Sequence, residues 1–373
     1  MGFTVVLRRN LVLGAAASGA SAPFFVACSS GTSHDEAARA LRVPIAANTS
    51  GRAVPARELV SELVRFATLA PSSHNTQCWK FRLQEQSITI EPDLSRRTPV
   101  VDPDDHHLFV SLGCATENLV QAALANGLWA DARFDPTGAG SVVVALEPTK
   151  AVSSPLFQAI TERQCTRGDY DGKPLSTAEL RLLEQAGTGR GVRVMLLTER
   201  PAMEKVLEYV VSGNTAEMNN PAFVDELMAW IRFSAGEAAE TGDGLYSGAS
   251  GNPSLPRWLG SRVMGLFFTP KSENERYARQ VRNSAGIAVF ASSASDKAHW
   301  VEAGRCYERF ALQATALGIR NAFLNQPVEV GAIRPQFASA LGLGNQRPDL
   351  VVRFGRGPSM PMSMRRPVQA VLA

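Results

Sequence analysis

Two segments of this chain superimpose without a gap, and that repetition limits the possible folds more than any other feature. Residues 110–128 read VSLGCATENLVQAALANGL and residues 301–319 read VEAGRCYERFALQATALGI. Aligned at a constant offset of 191, the separation of Gly113 and Gly304, Val110 falls on Val301 and Glu117 on Glu308. Ala123, Ala125 and Gly127 likewise fall on Ala314, Ala316 and Gly318. Apolar residues recur at three- and four-residue steps in both, the period of a long helix facing a core. Two Ala-rich buried helices could share composition alone, but glycines at both ends and a common glutamate favour internal duplication. Each segment is followed by a loop and a short β-branched run, 141–146 and 350–354.

The 373 residues suffice for two packed units, and 45% hydrophobic with 20% charged residues places them among soluble globular chains. Periodicity predicts helices near 55–69, 108–126, 153–164, 176–186, 201–213, 221–234, 297–317 and 330–341. Strands are predicted near 79–83, 286–291 and 349–354. This mixture is α/β or α+β. The stretch 242–270 is rich in Gly, Ser and Pro yet keeps Leu245, Tyr246, Trp258, Phe267 and Phe268, the pattern of a lid with aromatic anchors. The amphipathic run 221–232, with Trp230, reads as core or pocket wall.

The N-terminus stands apart. Arg8 and Arg9 precede a moderately hydrophobic run to Ala27, which resembles a twin-arginine export signal. Gly14, Gly19, Pro23 and a barely spanning length argue against a membrane helix. The run ends Phe25-Val26-Ala27-Cys28, similar to a lipoprotein processing site except that Leu is preferred where Phe25 stands. Acylation of Cys28 and simple cleavage both stay open. We read 1–28 as the signal, 29–54 as a Ser/Ala/Thr-rich tether, and the destination as the periplasm or a membrane anchorage outside the cytoplasm. Removing the two arginines lowers the formal net charge from +3 to about +1, which gives no electrostatic case for a nucleic-acid partner. The five cysteines, at 28, 78, 114, 165 and 306, include no C-x-x-C pair, so free thiols are expected rather than a disulfide framework.

Three strings carry the candidate chemistry. Residues 70–81 read Ala-Pro-Ser-Ser-His-Asn-Thr-Gln-Cys-Trp-Lys-Phe: Pro71 ends a helix, and Ser72, Ser73, Asn75 and Gln77 crowd hydrogen-bonding groups into the turn that follows. Arg163-Gln164-Cys165-Thr166-Arg167 sits at a predicted helix end, where arginines four apart share a face and can present bidentate donors to one phosphate. Taken alone, such a pair is equally a solvated surface. The third string, Ser363-Met364-Arg365-Arg366-Pro367, is by itself a basic tail. Residues 102–107 have metal-ligand composition but no directed spacing, and read as the cap of the next helix; no metal is expected. Serine-hydrolase elbow, Walker loop and dinucleotide glycine fingerprint are all missing from the sequence.

Together these strings resemble the nitroreductase superfamily, and most closely its Acg-like branch, from about residue 55 to the end. The resemblance implies an α+β flavin-reductase fold, duplicated so that one chain mimics the usual homodimer, with halves at 55–150 and 151–373. It implies FMN contacted by Ser72, Ser73, Asn75 and Gln77, its phosphate gripped by Arg163, Cys165, Arg167, Arg365 and Arg366, and Gln326 near the ring. Cys165 stands where that family has a hydroxyl, Cys78 where it has Pro, and Ser363 where it has Lys. The implied activity is hydride and electron transfer through the flavin to a nitro- or quinone-like acceptor, with no protein acid or base assigned. A flavin-holding protein that does not turn over is the alternative. Export would separate the chain from cytoplasmic NAD(P)H, which leaves the donor open. The second half carries the arginines but reads Gly187-Thr188-Gly189-Arg190-Gly191 where a serine loop should repeat, so a monomer with one FMN is expected.

Overall fold

A computed structural model describes residues 33–43 and 56–373. The arginine pair, Cys28 and most of the presumed tether lie outside the described residues. Part of that tether is ordered: α1 (His34–Ala40) opens with a capping box in which Ser33 and Glu36 satisfy each other's backbone N–H groups. Its His34 ring packs on Tyr246 at 4.3 Å.

The first half runs α2 (Ala56–Thr68), β1 (Trp79–Leu83), β2 (Ser87–Pro92), α3 (His106–Ala125), β3 (Leu128–Asp135) and β4 (Ser141–Pro148). Its strands form an antiparallel sheet in the order β1-β2-β4-β3. Side chains alternate across the sheet, so Trp79, Phe81, Ile88, Ile90, Val142 and Val144 are buried against α2 and α3, with partly exposed neighbours between them.

After the short α4 (Pro155–Ala159) the second half repeats this order with α5 (Thr177–Gly187) and β5 (Val192–Leu197). It then inserts α6 (Arg200–Met218), α7 (Pro221–Trp230), β6 (Ile231–Arg232), α8 (Ala235–Thr241), β7 (Leu245–Tyr246), α9 (Arg257–Phe267) and α10 (Pro270–Arg282). The repeat resumes with β8 (Gly286–Ser292), α11 (Lys297–Ala316) and β9 (Arg320–Phe323), passes α12 (Gln326–Glu329) and α13 (Arg334–Ala340), and closes on β10 (Arg347–Gly355). The sheet order β5-β8-β10-β9, again all antiparallel, matches the first sheet strand for strand. This is an α+β architecture built twice.

The insertion changes the burial of the second sheet. In β8, Ala288 and Phe290 face α11, while Ile287 and Val289 face α6 and α10, so both faces are covered. Burying one such phenylalanine contributes about 1.5–3 kcal/mol.

At the centre α3 packs on α11, as the repeat requires. A Cβ on Gly113 would strike the Val301 carbonyl, and one on Gly304 would strike the Val110 carbonyl. Since 110 and 113 are the repeat partners of 301 and 304, these are one contact seen from each half, the signature of a two-fold interface. Cys114 Sγ donates to Gly304 O across it at 3.3 Å. The C-terminal tail then returns to the first half, where Ala373 N donates to Phe81 O at 2.9 Å. On the way it brings Arg365 beneath the end of α2.

Candidate functional site

Pro71 cannot continue α2, and the chain beyond it bends through left-handed backbone at His74, Asn75 and Gln77, with φ of 47°, 54° and 53°. Non-glycine residues there cost about 1–2 kcal/mol each, so the bend needs outside support. Asn75 Nδ2 donates to Gly244 O and Met364 O at 3.0 and 3.3 Å. Gln77 Nε2 donates to Gly242 O at 2.8 Å while its Oε1 accepts from Arg366 N at 2.8 Å. Ser72 Oγ accepts from Gln77 N at 2.9 Å. The loop is thereby pinned to the insertion and to the C-terminal tail, and Ser72 and Ser73 are left lining the adjoining cavity.

The arginine string is not on a helix. α4 ends at Ala159, and Cys165 instead makes an isolated parallel bridge to Asn321 on β9, with Thr166 N donating to Asn321 O at 2.8 Å. Arg163 N still closes a helical turn on Ala159 O at 2.9 Å, the chain is extended by Cys165, and Arg163, Gln164, Cys165 and Arg167 line one pocket. The buried Thr166 hydroxyl donates to Gln164 Oε1 at 3.2 Å, so it does not replace the hydroxyl that Cys165 lacks.

These residues surround a pocket of about 50 Å³ lined by Arg42, Arg163, Arg167 and Arg365 together with Ser72, Asn75, Gln164 and Cys165. No carboxylate lines it. Arg365 is fully engaged: Nε donates to Thr68 O at 2.7 Å, Nη2 to Leu69 O and Ala70 O at 3.0 Å, and Nη1 to Asn75 Oδ1 at 3.0 Å. A cation on the last carbonyls of α2 is favoured by the helix dipole. Burial, with Arg42 and Arg163 nearby, holds Arg365 well below its ordinary pKa. Arg163 Nη2 donates to Leu69 O at 2.8 Å and Nε lies 3.1 Å from Glu308 Oε1, yet buried Nη1 has no acceptor. Burial pushes the Glu308 carboxyl up to about 7 even beside this guanidinium. The Arg167 side chain makes no hydrogen bond or ion pair among the described residues. Four guanidiniums, two of them with unused donors, against the single carboxyl of Glu308 fit an anion.

Ser72, Arg167, Leu245 and Phe323 also line a second cavity of about 520 Å³, within the range of cofactor sites. His107, Val110, Ser111 and Cys114 of α3 form one wall. Gln326 forms part of another, with Nε2 donating to Tyr277 Oη at 2.7 Å and a buried Oε1 that has no donor. Leu245, Val263, Met264, Phe267 and Phe268 border it, so part of the segment read as a lid lines the cavity, while Trp258 and Phe267 keep much of their surface exposed. Polar groups cluster at one side: His107 Nε2 lies 3.4 Å from Glu329 Oε1, with Glu217 close by. Burial raises both carboxyls and lowers His107; His74 is pushed down to about 4 by burial and then by Arg167 and His107. The Asp102 carboxylate caps α3, accepting from His107 N and Leu108 N at 3.0 Å each.

Of the residues singled out from sequence, Ser72, Asn75, Arg163, Cys165, Arg167 and Arg365 meet at the basic pocket, and Ser73 and Gln326 at the larger cavity. Gln77 and Arg366 line neither. Gln77 is wholly buried in its loop, and Arg366 Nη2 donates to Ala370 O at 2.8 Å. Their part is to clamp the loop to the tail. Sequence reasoning missed Arg42 and the His107–Glu329–Glu217 group. The Ser33-x-x-Glu36 capping box was the available signal for the helix α1, which ends two residues before Arg42.

No protein-family profile matches the chain. It is 26% identical over 346 residues to "Putative NAD(P)H nitroreductase Rv3131" and to "Putative NAD(P)H nitroreductase MT3217", both of Mycobacterium tuberculosis, covering 88% of this chain and 94% of each relative. Among solved structures, a nitroreductase with bound FMN from Bacteroides fragilis aligns with a TM-score of 0.35 and 13% identity, over 55% of this chain and 90% of that one. The FMN-dependent nitroreductase NfnB of Mycobacterium smegmatis, in complex with NADPH, also gives 0.35 and 13%, over 54% and 87%.

Proposed function

We propose that this chain, a sequence relative of the nitroreductase superfamily over most of its length, is an FMN-dependent oxidoreductase acting on a nitro- or quinone-like acceptor. The observation that carries the reading is a junction. A pocket of four arginines, sized for one small anion, opens past Ser72 and Arg167 into a cavity with room for a ring system beside an apolar border. Bound there, FMN supplies hydride and electron transfer through its N5.

The protein's own residues hold and position. Arg167 and the free Nη1 of Arg163 bind the phosphate through charge-assisted hydrogen bonds, and Arg365 adds charge while fixing the end of α2. Ser72, Ser73 and Gln326 would hold the polar edge of the ring. Phe267 and Phe268 exclude water and offer a surface on which a planar acceptor can stack. We read the chain as exported by the twin-arginine route, which makes a membrane quinol or a protein a better donor than the NAD(P)H in the relatives' names. Stopped-flow reduction with a quinol and with NADPH separates these donors.

The protein purified under native conditions is expected to be yellow, with acid releasing FMN rather than FAD or riboflavin. Arg167→Ala should weaken FMN binding roughly ten- to hundredfold, the value of about 1.5–3 kcal/mol for a charged hydrogen bond. A colourless protein that also fails to take up added FMN would sink the proposal.

A further inference from the structure

We propose that α1 is a latch on the anion pocket: Arg42 supplies a phosphate ligand from outside the repeated fold, and docking of the helix is coupled to occupancy of the pocket. The inference rests on the reading of that pocket as the FMN phosphate site.

α1 has little else to hold it. It is seven residues long, too short to be stable alone, and three of the seven are alanine. Its apolar contacts are Ala37, Ala38 and Leu41 against Ala238, Tyr246, Ala249 and Met364, with the His34 ring on Tyr246. Arg65 Nη1 donates to Leu41 O at 2.9 Å. The remaining tie is Arg42, whose Nη1 donates to Ala38 O at 2.6 Å and Nη2 to Ser363 O at 2.9 Å. Its guanidinium is buried, lines the pocket beside Arg163, Arg167 and Arg365, and keeps an Nε with no acceptor. The carboxyl whose charge acts on Arg42 is the exposed Glu162, while Glu308 faces Arg163 and Arg365. Burial and then Arg163 pull Arg42 down to about 10. Seating a fourth cation among three others is unfavourable until an anion joins them. By linkage, the factor by which phosphate favours docked α1 is the factor by which docked α1 tightens phosphate binding.

The alternative is that Arg42 only pins backbone carbonyls. The two roles differ in what they do to a ligand that lacks the phosphate. Affinities for FMN and riboflavin are measured by flavin fluorescence in the full-length protein and in Arg42→Gln and Arg42→Lys. Amide exchange across residues 36–43 is followed without ligand and with FMN, riboflavin or inorganic phosphate. Arg42→Gln should lose about tenfold in FMN affinity with riboflavin unchanged, and Arg42→Lys should recover part of the loss. Exchange in α1 should slow with FMN or inorganic phosphate and not with riboflavin. Equal losses for the two flavins, or α1 protection indifferent to every ligand, overturns the latch. If the wild-type protein binds no FMN, the proposed function falls, and the inorganic phosphate arm still reports on the latch.

Discussion

The wall of α3 beside the cavity and the matching wall of α11 occupy equivalent positions in the repeat and do opposite things. On α3 the wall is Ser111 and Cys114, with Asn118 a turn further on; at the 191-residue offset α11 carries Glu302, Arg305 and Arg309. Those long side chains pair with one another and with Glu117. Arg309 Nη1 and Arg305 Nε lie 2.9 and 3.2 Å from Glu117 Oε2, and both arginines reach Glu302 at 3.4 Å. The 187–191 loop lies directly on them, since a Cβ on Gly189 would meet Cys306 Sγ and Glu302 Oε1. Duplication thus produces two equivalent clefts; small residues leave one open, and a self-satisfied ion network fills the other. The repeated glutamates show the same division. Glu117 has two arginines within reach, whereas Glu308 has Arg163 alone, and Arg163 keeps a donor free.

Exchanging residues across the repeat tests the difference between the two walls directly. Cys114→Arg brings the α11 arginine into the open cleft and should reduce FMN affinity by roughly a hundredfold or more, read by flavin retention on gel filtration. Retention of flavin by that variant would mean the α3 wall is not part of the site. The Arg163→Met variant strands Glu308 and should cost about 3–5 kcal/mol in urea unfolding where that carboxyl is ionised. The sign with pH follows from the raised pKa. The folded state holds a proton on Glu308 from its ordinary 4.5 up to about 7, so stability falls as pH rises through that window. Without Arg163 the window widens upward, and the deficit should be small at pH 5 and large at pH 8. A pH-independent deficit would contradict the pairing.

The two-fold interface is tested by Gly113→Ala and Gly304→Ala. Each should cost about 1–3 kcal/mol by overpacking, by similar amounts because the contact is reciprocal. The double variant should lose less than the sum, since both act on one crossing. Smallest is Arg305→Cys, the reverse of the first exchange. FMN affinity should not change, and the loss of stability should be under about 1 kcal/mol because Arg309 still answers Glu117.

The central helices and their repetition were legible in the sequence because a core-facing helix must repeat its apolar spacing; that they cross at Gly113 and Gly304 came from the structure. The strand at 79–83 was equally plain. The strands 87–92, 128–135 and 192–197 were not, since their alternation is short and their identity rests on sheet partners far along the chain. The serine loop and the arginines at 163, 167 and 365 were matched by resemblance, and they do meet in space. Their setting was misread, because the helix stops at Ala159 and the chain is extended by Cys165. What decided the matter was Asn321, which offers an edge to Cys165 and lies more than a hundred residues away. Gln77 lines neither cavity for a local reason: backbone turned left-handed at 74, 75 and 77 commits its side chain to Gly242 and the Arg366 amide.

One measurement bears most directly on the claim that a single open site remains from two equivalent clefts. Flavin absorbance is read against protein concentration across a gel-filtration peak whose mass is determined by light scattering in the same run. The account predicts one FMN per 40.1 kDa chain, or per the slightly smaller chain left after signal removal, carried by a monomer. Two flavins per chain, or flavin retained only by a dimer, would contradict it.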